Sequence, residues 1–340
     1  DATDGRPVWS VHLADDLGAR RPAYGFGSSP LVVDSTLVVH GGGVNGTVLG
    51  FDVATGALRW SVGTEPVVAP SPVRLALAGK SMVVASGTQH VFGIDAGSGA
   101  VLWKYSHEGT GYRGQGSLVP VELGGDRIFL AHDDHASQVI HVRPDGDGLL
   151  AEQVWLDRTI RNSYNVAVHH EGYLYAYSAR ILVCVDATSG ALQWRSRKPG
   201  DGFITLVGDT MIILTKDGSL HAARATPEGY EELASAAIFD ELTWTMAIVA
   251  HGDVFARSLD EVVRVDLHGN GEPPTAAEGS THVARSLDPG DGEFGRFIRA
   301  VERADDPAPV IDVFLAAHPE LPLIEGSDLV HFVYRGAEEE

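Results

Sequence analysis

The densest cluster of possible metal ligands in the sequence is the run His132-Asp133-Asp134-His135. Two imidazoles flanking two carboxylates supply the nitrogen and oxygen ligands that divalent ions bind, provided that the loop bends them together. The run stands between two strand-like segments, where charged residues usually form a solvated turn. We therefore predict no bound metal, and we keep His132 as a candidate ligand-contact residue.

The sequence also offers no strong candidate for a catalytic nucleophile. Cys184 is the single cysteine and lies in the apolar run Ile181–Val185, which predicts a packed core thiol. One cysteine cannot form an internal disulfide, so cysteine usage leaves the redox compartment open. The Gly-rich runs Gly25–Ser29 and Gly114–Leu118 both fail the Gly-x-Ser-x-Gly pattern of a hydrolase nucleophile elbow. We predict that this chain is not an enzyme and carries no cofactor.

The bulk composition excludes several classes of partner. The 340 residues carry 25 Lys and Arg against 46 Asp and Glu, for a formal net charge of −21. Such an acidic chain is repelled by nucleic acids and by anionic membranes, so neither is an expected partner. No apolar run reaches the length of a membrane-spanning helix, and the 44% apolar content is ordinary for a globular protein.

A repeated strand–turn–strand unit organises the chain. Val48 to Trp60 reads VLGFDVATGALRW, and similar stretches run from Val91 to Trp103 and from Leu182 to Trp194. In each, Asp bonds its own turn backbone and Gly supplies the position with positive φ, while the second strand ends on Trp. Recurrence every 39 to 52 residues indicates propeller blades or solenoid repeats. The tryptophans of this series are Trp9, Trp60, Trp103, Trp155 and Trp194.

Each repeat contains four short strand-like runs between Gly or Asp turns. The first complete unit is predicted as Ser29–Val33, Thr36–Val39, Val48–Phe51 and Ala57–Val62. Further units are predicted at Ser71–Lys104, Leu118–Trp155, Asn165–Trp194 and Ile204–Leu233, with an incomplete one at Thr245–Asp266. That last unit lacks a fourth strand, and Arg6–Val11 is predicted to be a fourth strand that lacks its first three.

The motif Asp-x-x-(Thr/Ser)-Gly-x-x-x-Trp resembles that of the PQQ-like (quinoprotein-type) β-propellers over about residues 1–270. The resemblance implies an all-β propeller of four-stranded blades, and it is nearest to the non-catalytic propellers akin to the outer-membrane assembly lipoprotein. It therefore implies a scaffold or binding role and a periplasmic or extracellular location. The tryptophans are expected to pack between neighbouring blades. The rival enzyme class, the PQQ-dependent dehydrogenases, usually has a vicinal disulfide, which one cysteine cannot form.

The blade number of the intact protein stays open. Closure of a six-bladed ring by the two incomplete pieces would remove the exposed sheet edges. Rings of seven or eight blades are usual in these families, so we expect the six units to be an arc of such a ring. The chain also begins within a motif copy, so we expect both of its ends to be cut.

The region after the repeats changes character. Residues 1–268 are predicted to form the propeller, residues 269–292 a polar linker, and residues 293–340 a small α/β appendage. The appendage is predicted to hold helices at Phe294–Glu302 and Pro309–Ala317 and a strand at Leu329–Arg335. Phe314–Gly336 is similar to the segment that opens enterochelin-esterase-like hydrolases. The second enzyme alternative is therefore that this chain is the leading part of a propeller–esterase fusion whose catalytic residues lie beyond Glu340.

Blade topology places the candidate binding residues. The loop before the first strand of a blade and the loop between its second and third strands open on the same face. Aromatic and arginine side chains gathered there suit recognition of a protein, a peptide or a small ligand. The candidate ligand-contact residues are Tyr24, Tyr112, Arg113, His132, Arg161, Asn162, Tyr164 and Trp244. The competing interpretation is that these loops only cap the ring.

Overall fold

The computed structural model describes residues 6–19, 25–66, 70–107, 119–131, 136–161 and 165–266, together with Arg296, Arg303 and the backbone of residues 323–325 and 329–331. The chain forms two compact units. One is Trp9–Asn270, and the other combines Asp1–Val8 with Gly271–Glu340.

Six antiparallel sheets follow one another along the described residues of the first unit, each with its strands in chain order. Sheets of this kind are the blades of a β-propeller, so the fold predicted from the repeats is confirmed. Blade 1 holds β1 (Leu31–Val33), β2 (Thr36–His40), β3 (Val48–Asp52) and β4 (Leu58–Val62). Blade 2 holds β5 (Val73–Leu77), β6 (Lys80–Ser86), β7 (His90–Ile94) and β8 (Val101–Ser106). Blade 3 holds β9 (Val121–Gly124), β10 (Arg127–Leu130), β11 (Ser137–Asp145) and β12 (Gly148–Asp157).

The remaining blades follow the same plan. Blade 4 holds β13 (Val168–His170), β14 (Tyr173–Ser178), β15 (Ile181–Asp186) and β16 (Leu192–Ser196). Blade 5 holds β17 (Gly202–Val207), β18 (Thr210–Thr215), β19 (Ser219–Arg224) and β20 (Glu231–Ala237). Blade 6 has three strands in the described residues, β21 (Ile248–Ala250), β22 (Asp253–Arg257) and β23 (Val262–Asp266).

The strand predicted at Arg6–Val11 is wrong. These residues have no strand assignment and lead into a short helix, α1 (Leu13–Leu17), which the sequence did not predict. Local capping explains the outcome, because His12 Nδ1 accepts a hydrogen bond from the Asp15 backbone at 3.2 Å and Asp16 accepts one from the His12 backbone at 2.8 Å. Pro7 also lacks the N–H that a strand ladder needs.

In the described residues the hydrophobic core forms five separate clusters, one between each pair of consecutive blades. The cluster between blades 2 and 3, for example, joins Val84 and Trp103 to Ile128 and Ile140, all of which are buried. Alternate residues of the inner strands face opposite sides of each sheet, so each of blades 2 to 5 contributes to two clusters. Burial of apolar surface between neighbours therefore holds the blades side by side.

Four of the five motif tryptophans donate a ring N–H hydrogen bond to the blade that follows them in the chain. Trp60 Nε1 donates to the Ala96 carbonyl of blade 2 at 2.9 Å. The same bond recurs from Trp9 to Val53 at 2.8 Å, from Trp155 to Ala187 at 2.9 Å and from Trp194 to Thr226 at 2.8 Å. Trp103 instead donates to Met82 Sδ at 3.0 Å. Blade 3, which follows it, has a long β11–β12 hairpin where blades 1, 2 and 4 have the motif turn.

Hydrogen bonds within the turn account for the Asp and Ser or Thr residues of the motif. Asp95 accepts hydrogen bonds from the backbone and the hydroxyl of Ser98, at 2.8 Å and 2.6 Å. The Ser98 hydroxyl bond, followed by the backbone bond, lowers the pKa of Asp95 below its ordinary value and outweighs the opposing effect of burial. Asp52 and Asp186 hold the corresponding turns of blades 1 and 4 in the same way.

The second unit contains a two-stranded antiparallel sheet of β24 (Leu323–Glu325) and β25 (Leu329–His331). β25 falls within the strand predicted at Leu329–Arg335. Arg296 is helical, within the helix predicted at Phe294–Glu302, and Arg303 is helical as well. The rest of that helix, the predicted helix Pro309–Ala317 and the predicted linker 269–292 lie outside the described residues.

Candidate functional site

One face of the propeller unit is built from two kinds of loop, the inter-blade loops and the turns between second and third strands. We call it the loop face. Backbone hydrogen bonds join the two kinds, as from Ala179 to Arg161 at 3.1 Å and from Lys216 to Asp201 at 2.8 Å. A third such bond runs from Gly43 to Glu65 at 2.9 Å. Side chains on this face are therefore carried by mutually supported loops.

The predicted contact residues fall into two groups. Arg161 and Trp244 are described and lie on the loop face, Arg161 between β12 and β13 and Trp244 between β20 and β21. The others lie outside the described residues; they are Tyr24, Tyr112, Arg113, His132, Asn162 and Tyr164. A contact role stays a prediction for all eight residues. His40, which topology also directs to this face, is only 3% exposed and so contributes to the interior.

Trp244 is the centre of an ordered cationic and aromatic cluster. Its side chain remains 46% exposed. The Lys216 ammonium lies 4.2 Å from the centroid of the Trp244 ring, within the range of a cation–π interaction. Phe203 meets the same indole edge-on, with 6.3 Å between ring centroids. We call Phe203, Lys216 and Trp244, with Asp201, the Trp244 cluster.

Asp201 fixes the lysine of this cluster. Asp201 Oδ2 lies 2.8 Å from Lys216 Nζ, and the Lys216 side chain is 21% exposed. An ammonium held by a carboxylate and an indole together loses most of its rotational freedom before any partner arrives. The Trp244 cluster is therefore a preorganised surface rather than a set of mobile side chains.

Neighbouring backbone supports the cluster from below. The Tyr177 hydroxyl donates to the Gly200 carbonyl at 2.7 Å, just before Asp201 in the chain. Burial raises the pKa of Tyr177, so this phenol stays protonated and remains a donor. On the other side, the Thr243 hydroxyl donates to the Thr215 carbonyl at 2.7 Å and positions the loop that carries Trp244.

A second feature of the loop face is a basic cavity of about 480 Å³ between blades 3 and 4. Arg161 is one of its lining residues, with Arg158 and Arg195. Sequence reasoning identified Arg161 alone. Arg195 immediately follows a motif tryptophan on an outer strand, and strand topology alone gave no reason to place it beside an inter-blade loop.

Other chemistry is limited in the described part of the chain. It contains no group of three or more His, Cys, Asp or Glu side chains close enough together to hold a metal ion. Cys184 is buried, and burial raises the pKa of its thiol to about 12, as its position in an apolar run predicted. No helix among the described residues is both long and apolar enough to cross a bilayer.

The family comparison agrees with the repeat motif. A PQQ-type family model described as "Outer membrane protein assembly factor BamB" matches residues 1–154. Together with the four-stranded blades, this match confirms the predicted resemblance to PQQ-like β-propeller repeats. The similarity predicted for Phe314–Gly336 lies outside the matched residues and stays a prediction.

Several solved structures are similar to this chain. BamB from Moraxella catarrhalis is 17% identical, with a TM-score of 0.42, over 73% of this chain and 85% of that chain. The WD40 β-propeller domain of Doa1 is 13% identical, with a TM-score of 0.45, over 69% and 76% of the two chains. The computationally designed Ika8 protein is 12% identical, with a TM-score of 0.40, over 70% and 82%. No curated protein matches the sequence.

Proposed function

We propose that this chain is a non-catalytic scaffold that holds a protein or peptide partner on its loop face. The observation that carries the proposal is the Trp244 cluster, in which a half-exposed indole is held in place by Lys216 and Phe203. Tryptophan is enriched among the residues that dominate protein–protein binding energy, above all where it is rigid before binding.

The family match supports the same assignment. The matching model is described as an outer membrane protein assembly factor, which is a role in assembly rather than in chemistry. A partner of this chain would accordingly be a protein, and the chain would work in the periplasm or at the outer membrane. The propeller suits this role, because its blades are held by five separate cores while its loops remain free to differ.

The test is a binding comparison between the wild-type chain and two variants. The immobilised chain, Trp244→Ala and Leu58→Ala would each be exposed to an extract of the source cells, and retained proteins would be identified and quantified after washing. Leu58 is a matched control, because it is 44% exposed but lies on the outer strand β4 of blade 1. Loss of a buried tryptophan anchor weakens binding by about 30-fold or more.

A partner retained by wild type and Leu58→Ala but lost by Trp244→Ala supports the proposal. A partner retained equally by all three chains removes Trp244 from the binding surface and overturns it. The non-catalytic part is tested separately. Dye-linked alcohol oxidation by the chain supplied with PQQ and Ca²⁺ would contradict it.

A further inference from the structure

The basic cavity between blades 3 and 4 is an unusual feature of an acidic protein. Among the described residues, three arginines line it, Arg158 and Arg161 from the β12–β13 loop and Arg195 from β16, against the one carboxylate of Asp157. The whole chain has a formal net charge of −21. A local excess of positive charge in such a chain attracts an anionic group over a short range.

The three guanidinium groups are available for a ligand. None of them makes an ion pair or a side-chain hydrogen bond with any residue in the described part of the chain. Several arginines elsewhere are paired with carboxylates, such as Arg143 with Glu152 at 2.9 Å and Arg264 with Asp253 at 2.7 Å. The cavity therefore concentrates arginines that folding has left without a carboxylate.

The carboxylate of Asp157 does not neutralise the cavity. Its Oδ1 accepts a hydrogen bond from the Thr159 backbone at 2.6 Å, so it is engaged in the turn of its own loop. The side-chain hydrogen bond with Thr159 lowers the pKa of Asp157, which keeps it ionised. Three positive charges against one negative charge leave the lining with a net positive charge, which suits an anionic group. The apolar residues of the same cavity favour a carboxylate with an aliphatic neighbour over free phosphate or a nucleic acid.

The floor of the cavity is apolar. Val183 lies opposite Arg195 in the β15–β16 pairing, and residues directly opposite in a sheet share a face. Ile181 and Ala179 continue this lining toward the loop face. A volume of about 480 Å³ falls within the range of ligand pockets and holds one or two side chains. Arginine offers planar paired donors that match a carboxylate, while the floor accepts an aliphatic group.

We infer that this cavity binds an acidic peptide segment in which an Asp or Glu side chain has an aliphatic neighbour. The carboxylate meets Arg158, Arg161 and Arg195, and the aliphatic side chain lies on Ile181 and Val183. This inference rests on the proposed function and deepens it, since it names the chemistry of the partner segment. The cavity is distinct from the Trp244 cluster, whose residues lie further along the chain, from the β16–β17 loop to the β20–β21 loop.

The experiment is a selection from a random hexapeptide display library on the full chain. It would be run in parallel on Arg195→Gln, on Arg161→Gln and on the control Arg197→Gln. Arg197 is an exposed arginine two residues from Arg195 that does not line the cavity. Selected peptides would then be resynthesised with Glu replaced by Gln, and their affinities measured by fluorescence anisotropy. Thermal melts would confirm that every variant is folded.

We expect wild type and Arg197→Gln to enrich peptides that carry Asp or Glu beside Val, Leu or Ile. Loss of either cavity arginine, or of the peptide carboxylate, is expected to weaken binding about tenfold or more, because hydrogen bonds to charged groups are strong. Added NaCl should weaken it further. Inorganic phosphate is expected to compete poorly.

Three results would overturn the inference: enrichment without acidic residues, equal enrichment by the cavity variants, or no enrichment at all. Strong competition by millimolar phosphate would assign the cavity to phosphate groups and would also overturn it. Peptides whose binding depends on Trp244 but not on Arg161 or Arg195 would leave the proposed function standing while removing the cavity from it.

Discussion

Replacing Gly50 by alanine tests the packing that joins one blade to the next. Gly50 lies on β3 directly opposite Trp60, so the indole rests on a position without a side chain. A Cβ atom added at Gly50 would come within 2.5 Å of Trp60 Nε1, and still closer to two carbon atoms of the ring. Gly50 has no positive φ, so the substitution introduces a steric conflict without backbone strain.

The magnitude follows from the displacement that the indole must make. Carbon atoms pack at about 3.5–4.0 Å, so the ring has to move by about 1 Å or more. That movement disturbs the 2.9 Å bond from Trp60 Nε1 to the Ala96 carbonyl. Overpacking contributes about 1–3 kcal/mol and the weakened hydrogen bond about 1 kcal/mol, for a loss of roughly 2–4 kcal/mol. In a domain of this size the melting temperature should fall by roughly 4–15 °C.

The assay is thermal and urea unfolding, monitored by circular dichroism and tryptophan fluorescence. Gly148→Ala is the matched control, because Gly148 is also a strand residue without a positive φ but an added Cβ meets only the Asp145 carbonyl at 3.6 Å. The double variant Gly50→Ala with Trp60→Leu isolates the pair, since removal of the ring should make the alanine nearly harmless. If Gly50→Ala has the same melting temperature as the Gly148→Ala control, the tryptophan packing described above is refuted.

Two further predictions concern titratable groups. The pKa of Asp95 is lowered, so its contribution to stability is present above its unfolded value of 3.8 and is lost as the pH falls through the folded pKa. The free energy of unfolding, measured with urea, should therefore fall less for Asp95→Asn than for wild type when the pH is lowered from neutral to acid. Equal losses in the two chains would contradict the turn assignment. Burial raises the pKa of Cys184 to about 12, so the native thiol should resist alkylation near neutral pH and react only after unfolding. Rapid labelling of the native chain, measured by mass spectrometry, would show that this core opens.

Much of the fold could be predicted because its signals are local. The turn motif places Asp95 and Ser98 three residues apart, so the hydrogen bond between them depends on little else in the chain. Apolar runs between such turns then specify the strands and their order. The prediction failed at Arg6–Val11, because a strand there needs a neighbouring sheet edge to pair with. The hydrogen bonds that cap α1 join residues close in sequence and do not depend on such an edge.

The candidate site was only partly predictable for the same reason. Trp244 and Arg161 could be placed on the loop face, because strand direction alone determines which loops share a face. That Lys216 binds both Asp201 and Trp244 could not be foreseen, since each residue belongs to a different loop and only side-chain packing selects the pairing.

The sequence by itself determined the repeat, the turn chemistry and the succession of blades, because these depend on residues within a few positions of one another. Tertiary structure alone decided which side chains from different blades meet. It placed Trp60 on Gly50 and against Gly99 of the next blade, and it gathered Arg158, Arg161 and Arg195 around one cavity. Distances between blades are fixed by the cores packed between them, and no local pattern in the chain encodes them.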